Sequence, residues 1–85
     1  MEEITDNNLE IYPNPSYGAL KIKLKNSDNI RRIRIYNLLG ELMIDKQNHS
    51  CQIGFDYIEL PGSKGEYIVV VNTDKYTFKR KVNKL

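Results

Sequence analysis

Apolar and polar residues alternate with a period of two along most of this chain. The cleanest run is Ala19 to Lys25, where Leu20, Ile22 and Leu24 fall on one side and Lys21, Lys23 and Lys25 on the other. Side chains of a strand point alternately to opposite faces, so this spacing predicts a strand with one dry face and one wet face. Asn26 to Asn29 is a turn cluster. Ile30 to Asn37 repeats the alternation, with Ile33 and Ile35 facing the core and Arg32, Arg34 and Tyr36 between them. Leu38-Leu39-Gly40-Glu41 predicts a tight turn in which Gly40 can take a positive φ. Leu42-Met43-Ile44 returns as the partner strand of a hairpin, and Asp45-Lys46 begins its exit into a polar loop, Gln47 to Ser50. Before these, Leu9 to Tyr12 is a short strand stopped by Pro13-Asn14-Pro15, because each proline removes a ladder donor. Ser16-Tyr17-Gly18 continues that turn.

The most apolar stretch is Tyr67 to Val71, with no polar residue in it. Such a run predicts a strand buried on both faces. Asn72 to Lys75 supplies turn chemistry. Tyr76, Phe78 and Val82 then share one face, and Thr77, Lys79 and Lys81 the other, so Gly65 to Leu85 reads as a hairpin whose second arm ends in a basic tail. In the middle of the chain Cys51, Ile53 and Phe55 share a face, and Gly54 marks a bulge or a close approach. Asp56 to Leu60 is ambiguous, with Ile58 and Leu60 facing inward, and Pro61 to Gly65 is a loop. The sum is about seven short strands punctuated by turns, with no helical period, which predicts a two-layer β-sandwich.

Composition narrows this picture. The chain has 85 residues, enough for one domain with one core. Its net charge of +2 is too small to argue for nucleic-acid binding. The single cysteine, Cys51, excludes an intrachain disulfide and reads as a small buried hydrophobe. The absence of tryptophan and of a disulfide removes two immunoglobulin hallmarks. No stretch reaches the ~18 apolar residues a transmembrane helix needs, so no direct membrane insertion is expected. No charged-then-apolar leader follows Met1. Met1 to Asn8 is acidic and polar, without apolar periodicity, and is expected to be a linker or frayed lead-in to a domain over residues 9–85.

Candidate chemistry is sparse. The chain carries no nucleophile elbow, phosphate-binding loop, dinucleotide fingerprint or zinc-protease motif. Cys51 and His49 form the one nucleophile–base pair, with no third group to orient them. Asp45, Asp56, Glu59 and Glu66 lie mostly at turn or strand-end positions, where carboxylates are solvated. Asn48-His49-Ser50 fits a glycosylation sequon. The expectation is no enzyme, no metal and no cofactor. Two surface features stay open. The Lys21, Lys23, Lys25 row is either a polyanion face or a solvated face that discourages aggregation. The six tyrosines, Tyr12, Tyr17, Tyr36, Tyr57, Tyr67 and Tyr76, are either core and edge packing or a sugar-binding platform.

A resemblance carries the reading further. Ile11-Tyr12-Pro13-Asn14-Pro15, then Gly18 and the Leu20-Lys21-Ile22 strand, resemble the opening of the type A C-terminal sorting domain of the type IX secretion system. Ile33 to Leu42, with Gly40 at its turn, is similar to that family's strand, turn glycine and return strand. Gly65-Glu66-Tyr67 is similar to its Gly-x-Tyr strand, and Lys79 to Leu85 to its basic terminus. The resemblance runs from Leu9 to Leu85 and is least typical over Cys51 to Leu60. It implies a small immunoglobulin-like antiparallel β-sandwich at the end of a cargo protein of a Bacteroidota-type bacterium. That cargo would be recognised in the periplasm by shuttle components, passed through the outer-membrane translocon, and secreted or attached at the cell surface after a sortase removes the domain. The acidic lead-in would hold the cleavage point, and Met1 would be a non-native start. The recognition residues it implies are Lys79, Arg80, Lys81, Val82, Lys84 and Leu85, with the backbone of their strand joining a receptor sheet and their charges choosing an acidic surface. The competing class is an immunoglobulin-like accessory module that binds carbohydrate or the parent protein's own catalytic domain.

Overall fold

The chain buries two apolar faces against each other, and in the computed structural model they belong to two sheets. The structure describes residues 3–4, 8–25, 28–48 and 54–85. The strands are β1 (Glu3–Ile4), β2 (Leu9–Tyr12), β3 (Ala19–Leu24), β4 (Ile30–Asn37), β5 (Leu42–Gln47), β6 (Phe55–Glu59), β7 (Gly65–Thr73) and β8 (Thr77–Lys84). One sheet has the order β1-β8-β7-β4-β5 and the other β2-β3-β6. All pairs are antiparallel except the β1–β8 edge pair, which matches Glu3 with Thr77 and Ile4 with Phe78. The all-β sandwich expected from the alternation is therefore the fold, consistent with an immunoglobulin-like arrangement, with seven strands of four residues or more. Among the described residues no helix is long and apolar enough to cross a membrane. The lead-in, read as lacking strand character, supplies β1.

The dry faces meet as parity predicts. Leu9, Leu20, Ile22, Leu24 and Ile58 from the small sheet face Ile33, Ile35, Val69, Val71, Phe78 and Val82 from the large one. β7 lies between β4 and β8, and its neighbours on both sides explain the burial of Val69, Val70 and Val71. The β4–β5 turn is fixed by an asparagine side chain. Asn37 Oδ1 accepts from the Leu39 and Glu41 amides, 2.9 and 3.0 Å, and Gly40 sits at φ +85° in the turn they close. A register shift between Ile30 and Arg32 lets Ile30 and Ile33 both point inward.

Two boundaries differ from the sequence reading, each for a reason outside the strand's own pattern, and one residue takes the other face. β5 runs to Gln47 because Asp45 and Lys46 find partners: Arg32 Nη2 lies 2.6 Å from Asp45 Oδ2, and Lys46 Nζ 2.8 Å from Asp56 Oδ1. Asp45 and Asp56 are thus strand residues rather than solvated strand ends. Burial pushes the Asp56 carboxyl up, but hydrogen bonds from Lys46, Asn48 and the Tyr57 amide outweigh it and hold it below the ordinary value. Asn48 also donates to Asp56 Oδ2 at 3.0 Å, so the amide of the sequon is engaged inside the fold. Phe55 is 40% exposed and faces outward, while Ile58 and Leu60 face inward as read. β7 continues through Asn72 and Thr73, and the turn begins at Asp74 because Thr73 Oγ1 accepts from the Tyr76 amide at 2.9 Å. Asn26, Ser27, His49, Ser50, Cys51, Gln52 and Ile53 lie outside the described residues, so the His49–Cys51 pair does too.

The β7–β8 turn is tied to the entry of β4. Asp74 receives Arg31, with Nη2 at 3.1 Å from its Oδ2, and Asn29 Nδ2 at 3.0 Å. The Arg31 and Asn29 hydrogen bonds hold the Asp74 carboxyl at a pKa of about 2, below its ordinary 3.8. A depressed carboxylate pKa contributes stability above the unfolded value and loses it as pH falls toward the folded one. Asp74→Asn is therefore expected to lower the melting temperature at neutral pH. The gap to the parent should narrow below about pH 4 and close near about pH 2. Thermal melts followed by circular dichroism across that range check this, and a gap independent of pH would remove Asp74 as its source.

Candidate functional site

The end of β8 is held by the segment that the two prolines interrupt. Asn14 Oδ1 accepts the Asn83 amide at 3.0 Å, and Asn14 Nδ2 donates to the Lys81 carbonyl at 3.3 Å. Ser16 N donates to the Asn83 carbonyl at 2.8 Å, and the Leu85 amide donates to the Ser16 carbonyl at 2.7 Å. Ser16 itself is 1% exposed. Its hydroxyl donates to the Ala19 carbonyl at 2.8 Å and accepts from the Gly18 amide at 2.9 Å, an ST-turn that fixes the segment's shape. The Tyr12–Pro13 and Asn14–Pro15 peptide bonds are both cis. Residues near the two ends of the domain thus form one clasp.

The clasp corrects one expectation. A receptor strand was to add itself to the backbone edge of the last strand. That edge is occupied: β1 pairs with Thr77 and Phe78, while Asn14 and Ser16 take the outward backbone groups of Lys81, Asn83 and Leu85. A strand needs unpaired edge groups to be extended.

Parity also divides the basic run. Lys79 and Lys81 are exposed on the outer face of the large sheet, and Lys81 Nζ lies 3.4 Å from Glu66 Oε2. Arg80, Val82 and Lys84 lie on the other face, with Phe78. Val82 is a core residue, 1% exposed. The Arg80 guanidinium sits 5.7 Å from the Phe78 ring centroid. Lys84 Nζ donates to the Gly62 and Leu60 carbonyls, at 2.8 and 3.3 Å, and so ties β8 to the loop that precedes β7. Leu85 is 51% exposed. A cleft of about 300 Å³ between β2 and β8, lined by Glu10, Ile11, Asn14, Arg80 and Lys81, joins the two halves of the site.

The other motif residues surround this clasp or shape the hairpins. Gly18 takes φ +138°, and a side chain there would collide with the Glu59 carboxylate and reach Lys84 Cε at 3.6 Å. Tyr67 is buried, and its hydroxyl donates to the Ser63 carbonyl four residues upstream at 2.6 Å. Gly65 takes φ +143° at the start of the same strand. Tyr12 and Pro13 lie beside Lys21 on the outer face of the small sheet. There the Lys21 ammonium sits 5.8, 5.6 and 5.6 Å from the ring centroids of Tyr12, Phe55 and Tyr57. These exposed aromatics do cluster, but around an internal cation, so the ring faces turned to Lys21 are not open to a sugar. Lys25 pairs with Glu10 at 3.9 Å, so the lysine row is partly neutralised. Among the described residues no acidic, histidine and cysteine cluster could hold a metal.

The sequence marks Ser16 only as a turn residue. A serine two places before a glycine is the local signal for its hydroxyl's bond to Gly18. Its pairing with Asn83 and Leu85 has no local signal.

The fold is a small all-β sandwich whose last strand is clasped by Asn14 and Ser16. The sequence matches the secretion system C-terminal sorting domain family over residues 10–84, and the chain belongs to that family. Domains of this family are C-terminal sorting signals for type IX secretion. They interact with that machinery, direct cargo to the cell surface or beyond, and are not enzymatic. A comparison with curated proteins gives no match.

Asn14→Ala removes one bond to the Asn83 amide and one to the Lys81 carbonyl. Each is worth about 0.5–1.5 kcal/mol. Hydrogen exchange at the Asn83 amide is expected to accelerate about tenfold, while the Leu85 amide, held by the Ser16 backbone, changes less. Equal acceleration at both amides would mean that the clasp opens as one unit.

Proposed function

We propose that this domain is the address by which a type IX system exports a cargo carried ahead of it, and that the address is read only when folded. Asn14 and Ser16 hold the end of β8, which is the observation that supports folded recognition most directly. Because those groups are more than sixty residues from Lys81 and Asn83, the displayed terminus exists only when the sandwich has closed. Lys79, Arg80, Lys81, Val82, Lys84 and Leu85 form the recognition segment in this reading, in two roles. Val82, Arg80 and Lys84 anchor the strand; Lys79, Lys81 and Leu85 face solvent and meet the partner. Shuttle and translocon components of the outer membrane are the partners. A cell-surface sortase cuts in the acidic stretch before Leu9, and cargo is released or attached at the surface. The domain over residues 9–85 is the unit that is read.

A periplasmic reporter fused ahead of the full chain, residues 1–85, in a host carrying this secretion system, tests the reading. Deletion of Asn83–Leu85 and the double substitution Lys79→Glu with Lys81→Glu are each expected to cut export about tenfold. Circular dichroism of each purified variant separates loss of recognition from loss of fold. Undiminished export by folded variants removes the tail as the signal.

A further inference from the structure

The two sheets end in backbone edges, and most of these edges are guarded. The edge of β8 is closed by β1 and the clasp. At β5 the ladder to β4 carries a register shift between Ile35 and Tyr36, and Asp45 and Lys46 are held in ion pairs. Bulges and charges of this kind oppose pairing with a further strand. At β6 the Tyr57 amide donates to Asp56 Oδ1 at 2.8 Å, and the Tyr57 carbonyl accepts from Lys46 Nζ at 3.4 Å. β2 is the remaining edge of the small sheet. Its ladder has no register shift, and among the described residues no group takes up its outer side.

The ladder shows which groups face outward. Lys25 donates its amide to the Asn8 carbonyl at 2.8 Å, so these two residues are a hydrogen-bonded pair. Antiparallel pairs alternate in type along a ladder. Glu10–Lys23 and Tyr12–Lys21 are thus bonded pairs, and Leu9–Leu24 and Ile11–Ile22 are not. Leu24 accordingly gives its amide to the Gly54 carbonyl, on the far side of β3, at 2.8 Å. The amides and carbonyls of Leu9 and Ile11 therefore point away from β3. They open on the cleft of about 300 Å³ between β2 and β8. Leu9 is buried in the core, whereas Ile11 packs against it only partly buried.

We infer that the outer edge of β2 is a strand-addition site for an extended segment of a partner protein. Backbone donors and acceptors repeated two residues apart are matched by another strand. An antiparallel segment would exchange hydrogen bonds with Leu9 and Ile11. Residues opposite one another in a ladder share a face, so the two paired side chains would turn inward beside Ile11. Those positions suit β-branched aliphatic residues, which complete the burial of Ile11. The position between them faces Glu10 on the wet side and suits a polar residue. A second copy of the chain fits poorly. Antiparallel pairing of Leu9 with the copy's Ile11 sets Glu10 directly against Glu10, a like-charge contact. The register that pairs Ile11 with itself sets Leu9 against Pro13, which has no amide. The inference deepens the sorting reading and rests on it only for the partner's place in the secretion machinery.

Hydrogen exchange on the full chain is the first test. The Leu9 and Ile11 amides are expected to exchange about tenfold faster than those of Glu10 and Tyr12. Equal protection would overturn the open edge. The ¹⁵N-labelled chain is then titrated with a capped peptide of alternating valine and threonine, with a lysine at each end. Shift changes are expected at Leu9 and Ile11, and exchange at both amides should slow. N-methylation of the valines removes the amides that face β2 and should weaken binding about tenfold, whereas N-methylation of the threonines should not. No shift change, changes centred on β5 or β6, or the reverse methylation pattern would overturn the proposal. So would a dimer in sedimentation that Ile11→Pro dissolves, since the chain would then be its own occupant. Ile11→Pro removes one outward amide and no bond to β3. In the export reporter on the full chain, a folded Ile11→Pro variant should lose export about tenfold. Export equal to the parent's would overturn β2 as the docking edge. If the parent exports nothing, the sorting reading falls, and the titration still decides the edge.

Discussion

The backbone edge of β8 is the constraint on which the rest of the structure depends. β8 follows the most buried strand of the domain and brings Phe78 and Val82 into the core. It cannot be dispensed with, yet its outer side would present unpaired amides and carbonyls. Such an edge is a template for aggregation unless something covers it. The chain covers it twice with its own early residues, through β1 and through the Asn14–Ser16 segment. One cis prolyl bond lies in that segment and another just before it, and Gly18 allows the close approach of Glu59 and Lys84 behind it. Asn14 and Gly18 make sense as parts of this one closure, whereas Gly40 serves the β4–β5 turn.

Closing the edge with residues far away in sequence gives the site its dependence on the fold. Contacts between Asn14 and residues 67 to 69 positions later carry a large loop-closure cost, so they form only when the sheets have already paired. The geometry of residues 81–85 therefore reports on the state of the whole domain. Lys84 adds a second report, since its ammonium bridges the end of β8 to the carbonyls of Leu60 and Gly62. A local defect in either loop would loosen the terminus.

What was legible in the sequence follows from periodicity. β3, β4 and β8 alternate cleanly because each has one face that must be dry, and β7 was readable instead as an unbroken apolar run. Parity also held the division of the basic run. Once Phe78 and Val82 point inward, Arg80 and Lys84 must lie on their side, and Lys79 and Lys81 on the other. The length of β5 was not legible, because Asp45 and Lys46 look like loop residues until Arg32 and Asp56 are brought beside them. β1 was hidden by its short length and its acidic context. Ser16's role was hidden because the chain alone does not say which remote backbone a turn will meet.

The proposed recognition of a folded terminus would have a thermodynamic consequence for a small domain. An 85-residue sandwich without a disulfide holds a modest margin against unfolding. A partner that binds only the closed form adds to that margin by mass action, about 2.7 kcal/mol at a hundredfold excess over its dissociation constant. A partner that read the sequence of residues 79–85 in any conformation would add nothing, because the unfolded chain carries the same residues. The clasp therefore separates the two modes of reading. Under the proposed reading of the closed form, binding and closure of the sandwich would draw on the same equilibrium, and an unfolded tail would be a poor ligand without further discrimination.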